Sequence, residues 1–177
     1  DKDYEVGGGF VWTDDESALV FEENAHQSKE PLFIRRIAKY TLNNGRIVHL
    51  TDTKHLSTTP LISGNTIAFQ RYDLVANPDS AWQWYTMDLA GNNEKDLVIN
   101  GYGATIRNGK LIVAGNKEKF VEVDLQTEYQ TQLSSTGLKA PVSSDSGLVT
   151  LDDGRLAFVF RQNYSENGPN DRIAIVD

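Results

Sequence analysis

Leu151-Asp-Asp-Gly-Arg-Leu-Ala-Phe158 is the stretch that decides the fold, because its pattern occurs three more times in the chain. Each copy is a strand end, a polar turn and a second strand that opens with apolar residues. The other copies are residues 12–21, 62–69 and 106–113. Turns such as Asn108-Gly109 and Asp153-Gly154 favour tight hairpins, since glycine adopts positive φ without steric cost. The pattern therefore predicts four β-hairpins.

A second landmark follows each hairpin in the same order. It is a short strand end, twice an x-Asp-Leu tripeptide, and lies at residues 40–42, 87–89, 123–125 and 175–177. The first three copies are followed by a turn and one more strand. The repeat length is 48, 44 and 45 residues between successive strand ends at Phe21, Phe69, Val113 and Phe158. Four strands in about 40 to 50 residues are typical of a β-propeller blade.

The sequence therefore predicts an all-β fold, a β-propeller of about four four-stranded antiparallel blades. One propeller domain over residues 1–177 would have blades at about 8–52, 58–100, 103–134 and 140–177, the last incomplete. Residues 1–6 would supply the strand that closes a four-bladed ring, or they would complete a preceding blade of a larger one. An ordinary sandwich or meander is the alternative fold, since all-β chains also place turns at short intervals.

The Ser/Thr-x-Asp-Gly turn, the apolar triplet that ends in Phe and the later x-Asp-Leu resemble the repeats of TolB-like propellers, also called WD40-like or PD40 repeats. The resemblance is closest at residues 12–21 and 151–158 and looser in the middle blades, whose turns lack the Asp. It implies a propeller of six or more blades, of which this chain would be a part. It also implies a periplasmic or extracellular bacterial location.

Composition excludes several classes of function. A net charge of −8 repels phosphate backbones and anionic membranes, so no nucleic-acid partner is expected. No apolar run is long enough for membrane insertion. The chain has no Cys, which rules out thiolate metal sites and cysteine nucleophiles. The three His lack metal-ligand spacing, and no calcium loop or Gly-x-Ser-x-Gly elbow occurs, so no metal, cofactor or catalytic residue is predicted.

Loop lengths indicate which face of the propeller binds a partner. The connections between second and third strands, which share one face, are long at 23–31, 73–81 and 163–170, and short at 116–118. Binding residues concentrate on such loops. We call this side the loop face, and its candidate binding residues are His26, Gln27, Tyr72, Asp73, Asp79, Trp82, Trp84, Tyr164 and Glu166.

Trp82 and Trp84 alternate along one strand and point to the same side of it. They either pack between neighbouring blades or form an aromatic platform for a sugar ring or a partner side chain, and Trp82 lies nearer the loop. The sequence thus favours a non-catalytic binding or scaffold module that presents this face to a protein or carbohydrate partner. The alternative is the propeller domain of a larger enzyme, such as a gated serine peptidase or a polysaccharide lyase or hydrolase.

Overall fold

The computed structural model describes residues 6–25, 34–73, 82–115, 119–133, 148–165 and 168–176. Within these ranges the regular secondary structure is entirely β, in fourteen strands. They contain no helix that is long and apolar enough to cross a membrane. The chain divides into two compact units, residues 1–98 and residues 99–177.

The first unit holds two antiparallel sheets whose strands follow chain order. The first sheet consists of β1 (Val6–Trp12), β2 (Ala18–Ala25), β3 (Ile34–Thr41) and β4 (Arg46–His49). The second sheet consists of β5 (His55–Ser63), β6 (Thr66–Asp73), β7 (Gln83–Asp88) and the start of β8 (Lys95–Arg107).

The second unit repeats this plan. Its first sheet, the third in the chain, consists of the rest of β8 with β9 (Lys110–Gly115), β10 (Lys119–Asp124) and β11 (Gln130–Leu133). The fourth sheet has three described strands, β12 (Leu148–Thr150), β13 (Leu156–Ser165) and β14 (Gly168–Val176). The described part of the chain thus carries the repeated antiparallel sheets that the sequence predicts.

The four predicted hairpin turns are confirmed, and glycines at three of them adopt positive φ. Gly64 has a φ of 57°, Gly109 of 76° and Gly154 of 85°. Asn108 also has a positive φ of 51°, so Asn108-Gly109 is left-handed at both positions, as a tight two-residue hairpin requires.

The aspartates of the x-Asp-Leu landmark hold the turns between third and fourth strands. Oδ1 of Asp88 accepts hydrogen bonds from the backbone N–H groups of Ala90 and Asn92, both at 2.9 Å. Oδ1 of Asp124 accepts from the N–H groups of Gln126 and Thr127 in the same way. Backbone donors such as these lower the pKa of both carboxyl groups. The landmark recurs because it specifies a turn.

Each unit has an apolar core between its two sheets. In the first unit, the core is formed by Val20, Ile37, Leu50, Ile62, Ile67, Phe69 and Met87. In the second unit, it is formed by Ile112, Ala114, Phe120, Leu148, Leu156 and Phe158. The rings of Phe120 and Phe158 meet edge to face, with centroids 5.2 Å apart. Face-to-face packing of neighbouring sheets therefore removes these apolar side chains from water, which stabilises each unit.

Two glycine-containing segments differ from a simple strand. Gly7-Gly8-Gly9 lies within β1, where the register with β2 shifts between Val6 and Phe10, so this strand begins with an irregularity of the bulge kind. Between the predicted blades at 58–100 and 103–134 the strand is not interrupted, since β8 runs through this point with a register shift between Gly101 and Gly103.

Candidate functional site

The structure describes only part of the predicted loop face. His26, Gln27, Asp79 and Glu166 lie outside the described residues. Asp73 ends β6 and Tyr164 lies in β13, and the side chains with a described environment are those of Tyr72, Trp82 and Trp84.

One of the predicted long loops is wrong. Residues 163–170 largely continue the hairpin of β13 and β14, with Tyr164 paired to Pro169 and Ser165 paired to Gly168. A register shift between Gln162 and Tyr164 lets the ladder continue, and only residues 166–167 lie between the two strands. The polar, Gly- and Pro-containing composition of this segment resembles a loop, which is why the sequence alone misassigns it.

Tyr72 and Trp82 form an aromatic pair at the loop-side end of the second sheet. Their ring centroids lie 5.4 Å apart and the ring planes are tilted by 47°. Arg71 pairs with Gln83, so Tyr72 and Trp82 are the next residues outward on adjacent strands. Both side chains are partly exposed. The pair therefore offers aromatic surface at the place where the sequence predicts binding.

Leu56 extends this apolar row onto β5. It pairs directly with Tyr72 in the β5–β6 ladder, which puts the two side chains on one side of the sheet. We call the two aromatic residues Tyr72 and Trp82, together with the Leu56 beside them, the aromatic row. Leu56 was not among the predicted residues, because a single Leu in a strand carries no sign of its cross-strand neighbours.

Trp84 does not belong to the exposed surface. Its side chain is fully buried. It pairs with Gln70 on β6. Ile37, which pairs with Glu22, has the equivalent position in the first sheet, and Phe120, which pairs with Ala114, has it in the third. Ile37 and Phe120 are also buried. Of the two roles that the sequence leaves open for Trp84, core packing is the one this burial supports.

Arg71 lies on the opposite side of β6, and its positive charge is neutralised by Glu94. Nη1 and Nη2 of Arg71 lie 2.5 and 2.6 Å from the two carboxylate oxygens of Glu94. The guanidinium carbon lies 4.7 Å from the centroid of the Tyr85 ring and 5.3 Å from that of Phe69. Burial raises the pKa of the Tyr85 hydroxyl, and the nearby carboxylate of Asp96 adds to the effect. Arg71 therefore packs the sheet and leaves no bare positive charge beside the aromatic row.

Two histidines of the first unit contact carboxylates. Nδ1 of His55 lies 3.0 Å from Oδ1 of Asp52, at the connection that leads into β5. Nε2 of His49 lies 3.3 Å from Oε2 of Glu23, which is also bound by Nε of Arg36 at 2.6 Å. No group of three possible metal ligands occurs among the residues that the structure describes.

Glu22 is a buried acid that the sequence predictions omit. Its Oε1 accepts a hydrogen bond of 2.8 Å from the backbone N–H of Thr59, which has a positive φ of 55°. Its Oε2 lies 3.4 Å from Nη1 of Arg35. The sequence does contain a sign of a buried acid. Glu22 and Glu23 follow each other in a strand with apolar residues, and one of two successive side chains in a strand must point towards the core. This contact joins the first and second sheets below the loop face.

The hairpin turns of neighbouring sheets also contact each other, at the end opposite the loop face. In the first unit, Oδ2 of Asp14 accepts from the backbone N–H of Gly64 at 2.9 Å. In the second unit, Nη1 of Arg107 donates to the carbonyl oxygen of Gly154 at 3.1 Å. A cleft of about 340 Å³ lies beside the first contact and one of about 360 Å³ beside the second. The charged groups of the second cleft are largely paired with one another, which favours a structural role.

A scan of the sequence against models of known families finds no match, so the TolB-like resemblance stays a prediction. A search of curated proteins finds no match either.

Solved structures, in contrast, resemble the chain over most of its length. The β-propeller domain of the Trilobed protease from Pyrococcus furiosus matches with 16% identity and a TM-score of 0.55, over 91% of this chain and 51% of that chain. The N-terminal domain of Nup159 matches with 12% identity and a TM-score of 0.59, over 94% and 43%. A prolyl endopeptidase matches with 14% identity and a TM-score of 0.56, over 97% and 25%.

These similarities show the fold. The chain is a β-propeller structure of antiparallel blades, and it spans about half or less of the length of these solved chains. Identities this low carry no information about activity, because propellers serve many unrelated functions.

Proposed function

We propose that the chain is part of a propeller-type binding module that takes a partner protein on its loop face, at the aromatic row. The observation that carries the proposal is the partly exposed Tyr72–Trp82 pair, placed at the loop-side end of two paired strands. Aromatic side chains concentrate binding energy at interfaces, because they bury a large area and lose little conformational entropy. The predicted residues Asp73 and Asp79 lie in or beside the segment that joins these strands.

The framework beneath the row is suited to hold it in place. Tyr72 continues a strand that pairs on both sides, and Trp84, two residues beyond Trp82, is locked in the core. A binding group that is ordered before the partner arrives avoids part of the entropy cost of association.

The geometry of the pair favours a protein over a carbohydrate partner. A sugar ring stacks best on one flat aromatic face, whereas rings tilted by 47° form an angled surface. Such a surface fits an aliphatic or aromatic side chain inserted against both rings. Neighbouring charges are paired, and the net charge of −8 disfavours a polyanionic partner.

The test replaces Trp82 by Ala and uses Trp12→Ala as the matched control. Trp12 is also a partly exposed Trp, but it lies on the first sheet. Peptides selected from a displayed library and a panel of neutral oligosaccharides serve as probes, and binding is measured by calorimetry. Trp82→Ala should weaken binding of the selected peptides at least about tenfold, which is typical of loss of an aromatic anchor.

Three results would contradict this proposal. The first is equal binding by Trp82→Ala and the wild type, and the second is an equal loss in the Trp12→Ala control. The third is Trp82-dependent binding of an oligosaccharide with no selected peptide, which would keep the site and overturn the choice of partner.

The second candidate function is the propeller domain of a larger enzyme. Two of the three solved structures described above come from peptidases, since one is the β-propeller domain of a protease and the other is a prolyl endopeptidase, and this chain matches a part of each. Reading the encoding gene on both sides distinguishes the two. An adjoining α/β domain with Gly-x-Ser-x-Gly would favour the enzyme, whereas a secretion signal with further binding modules would favour the binding role and a periplasmic or extracellular location.

A further inference from the structure

Three buried polar atoms of the first unit have no hydrogen-bond partner among the residues that the structure describes. They are Oδ1 of Asn24, Oγ of Ser57 and Nε of Arg71. Ser57 is fully buried, and the side chain of Arg71 is only 10% exposed. Buried polar groups of folded proteins almost always have a partner, which is either another protein group or an ordered water. Each of these atoms therefore needs a partner that the described side chains do not supply.

The Asn24 side chain belongs to the side of the first sheet that faces the second sheet. Val20, Glu22 and Asn24 alternate along β2, so their side chains point the same way. Val20 packs in the core between the two sheets, and Glu22 accepts a hydrogen bond from Thr59 of the second sheet. Asn24 thus points towards the second sheet as well.

Ser57 and Arg71 belong to the side of the second sheet that faces the first. Arg71 lies two residues beyond Phe69, which packs in the same core. Ser57 pairs directly with Arg71 in the β5–β6 ladder, so the two side chains lie beside each other on this side. Nε1 of Trp84 also has no described partner, but Trp84 pairs with Gln70 and therefore points to the other side of the sheet.

The three side chains also lie at the same level between the two sheets. Glu22 and Thr59 contact each other across the sheets. Two residues further towards the loop face, β2 carries Asn24 and β5 carries Ser57. Equal steps along two strands that are already in contact place these side chains opposite each other.

The chemistry of the three atoms fits a single water molecule. Oδ1 of Asn24 only accepts hydrogen bonds, Nε of Arg71 only donates them, and the Ser57 hydroxyl can do either. An anion would be repelled by the amide oxygen and a cation by the guanidinium, whereas water both donates and accepts. Buried waters typically make about three hydrogen bonds to polar groups that would otherwise be unpaired. Because all three atoms are buried, a larger ligand has no route to them.

We infer that a buried water joins the first and second sheets here, accepting from Nε of Arg71, donating to Oδ1 of Asn24 and bonding the Ser57 hydroxyl. Leu56 and Tyr72 are the chain neighbours of Ser57 and Arg71 and point to the other side of the same strands. The water therefore braces the strands of the aromatic row from behind. The inference does not rest on partner binding at that row, since it concerns atoms inside the first unit.

The sign of one change in stability tests the water. Ser57→Ala removes the hydroxyl and adds no atom that could overlap with a neighbour. If the hydroxyl binds the water, its loss should raise the equilibrium constant of unfolding about tenfold, since a net hydrogen bond is worth about 1.4 kcal/mol. If the hydroxyl had no partner, its removal would lower that constant, because an unpaired buried polar group destabilises the folded state.

Chemical denaturation followed by Trp fluorescence measures the constant, since all three Trp residues lie in the first unit. Ser63→Ala is the matched control. Ser63 is a partly exposed Ser on the same strand, so its replacement should change the constant less than about threefold.

A double variant tests whether the water bridges the two sheets. Asn24→Ala and Ser57→Ala remove partners from opposite sheets, which make no described hydrogen bond to each other. If both residues bind the same water, the effect of the double variant should differ from the product of the single effects by about threefold or more.

A crystal structure of the unaltered chain gives the direct observation and needs no variant. An ordered water should lie within about 2.7 to 3.2 Å of Oδ1 of Asn24 and of at least one of the two atoms on the second sheet. Three outcomes would overturn the inference: a loss in Ser57→Ala no larger than in Ser63→Ala, effects of the two substitutions that simply multiply, or a crystal structure without a water that contacts both sheets.

Discussion

Gly101→Ala should destabilise the second unit strongly, because the chain has no room for a side chain at this position. A Cβ atom there would lie 2.5 Å from the carbonyl oxygen of Ala114 and 2.6 Å from Cγ1 of Val113. Ordinary contacts of a Cβ atom are 3.4 to 4 Å, so both overlaps approach 1 Å. The oxygen belongs to β9, whose ladder with β8 restrains it. We therefore expect a loss of about 3 kcal/mol, near the upper end of over-packing costs.

Chemical denaturation followed by far-ultraviolet circular dichroism measures this loss over both units. The matched control is Gly64→Asn. Gly64 has a φ of 57°, and a Cβ atom added there would meet nothing within 4 Å. Because Asn tolerates this conformation, the loss should stay below about 1 kcal/mol. All three Trp residues lie in the first unit, so their fluorescence shows whether that unit is affected too.

A loss below about 1 kcal/mol for Gly101→Ala would refute the reasoning, because it would mean that the β8–β9 ladder yields readily to a methyl group. So would an equal loss in Gly64→Asn, because a Cβ atom at Gly64 overlaps with nothing and the loss could then not be assigned to the overlap at Gly101.

Two further predictions concern acids of the first unit. Glu22→Ala leaves the N–H of Thr59 without its acceptor and should lower the free energy of unfolding by about 1 to 3 kcal/mol. Glu22→Gln keeps an acceptor oxygen and should lower it clearly less in the same denaturation assay. Equal losses in the two variants would contradict this prediction. Hydrogen bonds from the Thr13 hydroxyl, and then from the backbone and hydroxyl of Ser17, lower the pKa of Asp15 from 3.8 to about 2. The stabilisation that this lowered pKa gives to the folded state is complete above pH 3.8 and is lost as the pH falls towards 2. Asp15→Asn should therefore flatten the decline of the free energy of unfolding across that interval. The same decline in the variant and the wild type would count against this prediction.

The turns and sheets were predictable because they are specified locally. Asn108-Gly109 and Asp153-Gly154 adopt the conformations that their residue types favour, and Asp88 and Asp124 close their turns through hydrogen bonds to residues within four positions. The failure at residues 163–170 has the same origin, since local composition there favours a loop while the β13–β14 ladder holds the segment as strand. Long-range pairing overrode the local preference.

The surroundings of the candidate binding residues were predictable in outline and not in detail. Trp82 and Tyr72 stand out as aromatic residues beside a long connection, but only the β6–β7 register brings their rings to 5.4 Å. Trp84 has the same residue type and the same strand direction as Trp82, yet it is fully buried. Whether a Trp on this strand is buried depends on how far along the strand neighbouring structure covers it, and no local sequence pattern encodes that.

By itself, the sequence determined the hairpins, the repeat and therefore the propeller class, because turn chemistry and strand alternation act over a few residues. Tertiary structure alone decided which equivalent side chains are core and which are surface. Ile37 and Ile173 have the same residue type at the same register position, and one is 0% exposed while the other is 74% exposed. Burial is a property of what lies opposite a side chain, so it is settled only when sheets meet face to face.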